Sequence, residues 1–89
     1  MAIKVETVTL VADTVSTVTL SGSGRALRVS SQAGSGSVYF RTDGVDPVLG
    51  GDEAMVLLPL SARVIPVPHS REIRLRHSGT PLVTVELEG

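Results

Sequence analysis

The chain has no cysteine and no tryptophan, and its only aromatic residues apart from two histidines are Tyr39 and Phe40. Without thiols there is neither a disulfide framework nor a thiolate metal site, and nothing to read about redox compartment. The shortage of rings argues against a stacking surface for sugars or single strands. Adjacent side chains on a strand point to opposite faces, so Tyr39 and Phe40 cannot form one platform. An excess of charge is missing too. Eight Lys and Arg against nine Asp and Glu give a net charge of −1, which provides no positive field to gather the chain on nucleic acid or anionic lipid. No apolar run approaches membrane-spanning length, and the start MAIKVETVTL alternates polar and apolar residues where a leader would place a basic start before an apolar run. The expectation is a mature product made in the cytoplasm, with no nucleic acid and no membrane among its partners.

What is present is valine, threonine, isoleucine and leucine in short segments between glycine, proline and serine clusters. No helical period persists over three turns. Eighty-nine residues suit one domain with a small core. The reading is all-β: a single domain over 1–89, an antiparallel β-sandwich or barrel of about seven or eight strands. Strands are expected near 3–11, 14–21, 25–32, 37–42, 54–59, 62–67, 71–78 and 82–88. ETVTL at 6–10 returns as STVTL at 16–20, but solenoid repeats run to about 20 residues or more, so the echo is shared strand vocabulary.

Alternation is clearest near the end. EIRLRHS puts Ile73, Leu75 and His77 on one face and Glu72, Arg74 and Arg76 on the other, while PLVTVELEG separates Val83, Val85 and Leu87 from Thr84, Glu86 and Glu88. If these strands form a hairpin, the loop must be odd in length. Gly79-Thr80-Pro81 then sets Arg74 across from Glu86 and Leu75 across from Val85.

Residues 54–68, AMVLLPLSARVIPVP, break the alternation. Met55 and Leu57 fall on one side and Val56, Leu58 and Leu60 on the other, so both sides are apolar. Such a strand is either enclosed within the protein or buried against another chain. Pro59, Pro66 and Pro68 belong at strand edges, bends or ends, because each lacks a backbone donor.

Few residues suggest chemistry. DGVDPVLGGDE, residues 43–53, gathers Asp43, Asp46, Asp52 and Glu53, but the carboxylate spacing is not that of a calcium loop and apolar residues interrupt it. Asp, Gly and Pro in this mixture read as a structured turn between strands. His69 and His77 have no neighbouring metal ligands, no GxSxG nucleophile motif occurs, and SGSGR at 21–25 and AGSGS at 33–37 lack the phosphate-loop pattern and read as hairpin connections. In REIRLRH, Arg74 and Arg76 share a strand face that is solvated or ion-paired, with Glu86 and Glu88 as candidate partners, or that meets an acidic protein. No catalytic, cofactor-binding or metal residue is assigned.

VYFRTDGVDPVLGGDEAMVLLP at 38–59, with ALRVSSQAGSG before it and VTVELEG at the close, resembles small β-rich virion proteins of tailed phages that infect actinobacteria. The likeness spans about residues 26–89 and centres on VYFRTDGVDP, Val38 to Pro47. The resemblance implies a non-enzymatic structural component, most readily a capsid decoration or minor capsid protein on the virion surface that binds the major capsid protein and forms a homo-oligomer, trimers included. It transfers no site residues and no cofactor. A tail or head-tail connector protein, or a β-sandwich adhesion or carbohydrate-binding module, are the alternatives. On the residues themselves, the contact surface is expected among Met55, Val56, Leu57, Leu58 and Leu60, with Val64, Ile65 and Val67 as core or interface and Arg74 and Arg76 as a polar rim.

Overall fold

The computed structural model describes residues 2–20, 24, 26–51, 54–66 and 72–88. Eight strands follow in order: β1 (Ala2–Thr9), β2 (Ser16–Thr19), β3 (Ala26–Ser31), β4 (Val38–Arg41), β5 (Met55–Leu57), β6 (Ala62–Pro66), β7 (Glu72–Arg76) and β8 (Leu82–Glu88). Each overlaps an expected segment, and β2 and β5 are the most shortened, β5 to three residues where 54–59 was expected. No helix occurs among the described residues.

The strands form two four-stranded antiparallel sheets, β1-β8-β3-β6 and β2-β7-β4-β5, packed as a sandwich with no closed barrel. The pairs β1–β8, β2–β7, β3–β6 and β4–β5 are those of one long hairpin folded at its midpoint. Rolling that hairpin up adds the seams β3–β8 and β4–β7. This is the strand order of an eight-stranded jelly roll.

Alternation fixes what lies between the sheets. Leu27 and Val29 of β3 and Val83, Val85 and Leu87 of β8 turn inward from one sheet; Val18, Val38, Phe40, Leu57, Ile73 and Leu75 turn inward from the other. All are buried, and Phe40 is the largest of them. Each such side chain contributes about 1.5–3 kcal/mol by leaving water. On the open side, between β6 and β5, Arg63 covers the core: its guanidinium sits 5.8 Å from the centre of the Phe40 ring and donates to the Val56 carbonyl at 3.1 Å. A cation over a ring face is attractive, and the long stem shields apolar surface.

Two expectations fail for one reason. β7 and β8 are not a hairpin but belong to opposite sheets, so Arg74 does not face Glu86 and Leu75 does not pair with Val85. Glu86 stands beside Arg28 of β3, 3.7 Å away. The glycine-rich segment at 33–37 likewise joins strands of different sheets, β3 and β4, while all of 21–25 except Gly24 lies outside the described residues. In a rolled hairpin every link except β4–β5 passes from one sheet to the other.

Candidate functional site

The corner where β5 turns into β6 presents the most apolar surface of the sequence-expected contact set. Leu57 ends β5 buried in the core, and Met55 packs partly against it. Val56, on the opposite face, is half-buried beside Tyr39. After Leu57 the chain leaves the sheet: Leu58 is 61% exposed and Leu60 74%, with the half-buried Pro59 between them. Val64, on the outer face of β6, is 62% exposed, whereas Ile65 turns inward. Val67 lies outside the described residues. The expected surface therefore divides: Leu57, Met55 and Ile65 serve the core, and Leu58, Leu60 and Val64 face water.

Leu60 carries a second cost. Its φ is +53°, a left-handed conformation that crowds any Cβ and that turns usually assign to Gly or Asn. Asp13 is the other described non-glycine residue with positive φ, at +54°, and a short polar side chain tolerates this better than leucine. Nothing in the residue type anticipates the strain at Leu60. A Pro in the second position of a turn is the nearest hint, because it suits a turn whose third residue has positive φ.

The acidic loop between β4 and β5 is held down by arginines. Arg41 of β4 and Arg74 of β7 lie directly opposite each other on the outer face of their sheet, an arrangement that repels. The loop neutralises both. Arg41 forms a two-point pair with Asp43, through Nε to Oδ1 at 3.0 Å and through Nη2 to Oδ2. Arg74 donates from Nη1 to Asp46 at 2.6 Å and from Nε to Glu72 at 2.9 Å. The Arg41 guanidinium pulls the Asp43 carboxyl from 3.8 to about 2, and Asp46, then Glu72, raise Arg74 above its ordinary value. Arg76 reaches the Pro47 carbonyl at 3.4 Å and Asp13 at 3.0 Å, and the Pro47 ring is the buried member of the loop. The arginines expected as a rim are thus ion-paired within the chain, to Asp46, Glu72 and Asp13 instead of Glu86 and Glu88. Asp52 and Glu53 lie outside the described residues, and among the described residues no three metal-ligating side chains gather.

His77 is structural. It is buried on the apolar face, as its place in the alternation implies. The Gly79 N–H donates to Nδ1 at 2.7 Å, so Nδ1 carries no proton, and Nε2–H donates to the Ser35 carbonyl at 3.1 Å. Its own carbonyl accepts from the Asp13 N–H at 2.8 Å. One residue ties three connections together at one end of the sandwich. Gly36 makes room for the ring, since a Cβ there would stand 3.0 Å from Nε2. His69 lies outside the described residues.

No protein-family model, curated protein or solved structure matches the chain.

Proposed function

We propose that this chain is a non-enzymatic virion structural protein, a capsid decoration or minor capsid protein of a tailed phage that binds and stabilises the assembled major capsid lattice. The observation that carries the reading is the β5–β6 corner, where Leu58, Leu60 and Val64 all face water and Leu60 holds a strained backbone. A freestanding domain gains nothing from either feature. A partner that covers the corner recovers the apolar surface. The jelly roll is an architecture found in capsid proteins, although also in lectins and cupins, so it supports the reading only by analogy.

Magnitudes favour a many-copy arrangement. Covering the three side chains from their present exposure contributes about 1–2 kcal/mol each. Association costs at least about 4 kcal/mol before any gain shows. The corner alone therefore makes a weak single contact, and an oligomer bound to a repeating lattice turns weak contacts into durable ones. The module that stacks on sugar rings fits less well, because Phe40 is enclosed in the core and Tyr39 is half-buried.

The test is co-sedimentation with assembled shells of the phage's major capsid protein. The unaltered chain pellets with shells, while Leu58→Asp and Leu60→Asp stay folded by circular dichroism and remain in the supernatant. Binding that survives both substitutions removes the corner from the reading. Binding to tail tubes or connectors instead of shells moves the protein to that part of the virion.

A further inference from the structure

The sandwich has four edge strands, and three are short or blunted. β2 has four residues and β5 three, and the Val56 carbonyl of β5 is already taken by Arg63. β6 has five residues and ends in Pro66. β1 differs: it runs from Ala2 to Thr9, contains no proline, and pairs on one side only, with β8; its register shifts between Ala2 and Lys4, so its regular stretch is the six residues Lys4–Thr9. An edge of this length is a template for another strand unless its side chains forbid it.

The side chains of β1 discriminate among partners. In the β1–β8 ladder Lys4 lies opposite Leu87 and Glu6 opposite Val85, so both stand on the core-facing side of the sheet, while Val5 and Thr7 stand on the outer side. Lys4, Val5, Glu6 and Thr7 are nevertheless exposed at this edge, and Val5 is 57% exposed. Charges of this kind usually guard an edge against pairing. Here they alternate in sign about Val5.

We infer that β1 is the interface for a second copy of this chain, paired antiparallel across a two-fold axis that passes midway between the two copies' Val5 residues and stands perpendicular to the sheet. Such an axis sets each residue opposite one from the same face of the sheet. An axis at Lys4 opposes two lysines, and one at Glu6 opposes two glutamates. Only the axis at Val5 sets Lys4 opposite Glu6 of the second copy, twice by symmetry, while Val5 meets Val5 on the outer face. Moving the axis to Thr7 opposes Glu6 to Val8, so that neither Lys4 nor Glu6 meets its opposite charge. Charge complementarity thus selects one register and rejects its neighbours. The outcome is a continuous eight-stranded sheet with β6 at both ends, and a two-fold dimer that presents two β5–β6 corners. This pairing rests on β1 alone and stands whether or not the corner binds a shell.

Sedimentation velocity and native mass spectrometry of the full chain test it. The unaltered chain is a dimer. Lys4→Glu and Glu6→Lys each place like charges opposite and weaken the dimer about tenfold or more, and the double exchange Lys4→Glu with Glu6→Lys restores it. Both residues are exposed, so the variants retain the native circular dichroism spectrum. Amide exchange within Val5–Val8 slows with rising protein concentration in the unaltered chain and in the double exchange, but not in the single variants. A monomer at every concentration overturns the inference. So does an oligomer indifferent to both single reversals, which places self-association elsewhere, or one whose double exchange stays apart.

Discussion

Replacing Leu60 with glycine is expected to stabilise the isolated domain, the opposite of the usual effect of truncating a large apolar residue. The side chain is 74% exposed, so its removal surrenders little buried area. The backbone at φ +53° costs an L-residue about 1–2 kcal/mol relative to the right-handed form, and glycine adopts it without that cost. Against this, glycine loosens the unfolded chain by about 0.4–1 kcal/mol. The balance is a gain of about 0–1.5 kcal/mol, and at about 1 kcal/mol the midpoint of thermal unfolding rises by about 4–8 °C in a domain of this size. Leu60→Ala is the control, because it removes the side chain beyond Cβ but keeps the Cβ and the strain. The assay is urea denaturation of the three proteins side by side. Glycine should exceed alanine by a margin set by the relieved strain less the entropy. If Leu60→Gly loses more than about 1 kcal/mol relative to leucine, the side chain is supporting the fold and the argument for an outward-facing contact residue fails. In the shell-binding assay the order should reverse, with Leu60→Gly the weaker binder.

Leu57→Asp and Leu58→Asp should differ sharply: the first buries an unpaired charge in the core and leaves no cooperative unfolding transition, while the second changes stability by less than about 1 kcal/mol. Similar losses from both would refute the division of this segment between core and surface. His77→Ala strands the Ser35 carbonyl and the Gly79 N–H and should cost about 2–4 kcal/mol in urea denaturation; a loss below about 1 kcal/mol would show that these two connections hold without the ring. The Asp43 carboxyl should titrate by NMR at about 2 and return towards 3.8 in Arg41→Gln. Because the folded value lies below the ordinary one, the ion pair contributes fully above about pH 4 and fades as the pH falls through about 2, so a midpoint near 3.8 in the unaltered chain would refute the pairing.

The eight strands and their inward faces were legible because period-two alternation is written directly in the residues: Ile73, Leu75 and His77 are buried as their spacing implies, and so are Val83, Val85 and Leu87. What alternation does not encode is which strand lies alongside. Consecutive strands usually pair, and that default misplaced Arg74 against Glu86 when β7 and β8 lie in opposite sheets. Local pattern is blind to a roll-up that joins segments across nearly the whole chain. The turn character of residues 43–51 was readable from Asp, Gly and Pro. Its attachment to Arg41, Arg74 and Arg76 was not, because an ion pair between a loop and a strand 28 positions away depends on the path of the loop. For the apolar stretch, composition gave both faces equal weight. The end of β5 at Leu57 decides the matter: one more residue of strand would have kept Leu58 on the sheet, and the turn releases it to solvent.

The position of β8 has a consequence for synthesis on the ribosome. It is an inner strand of its sheet, flanked by β1 on one side and β3 on the other, yet it is the last of the eight to be translated. Until Leu82–Glu88 emerges, β1 has no neighbour and Leu27 and Val29 have half a layer, while the central β4–β5 pair is already complete. The nascent chain must therefore hold its first strand unmatched through nearly the whole of elongation, and long-range closure of this kind is slow. Truncation within β8 should leave no partial sandwich, only an unfolded chain with a sticky first strand.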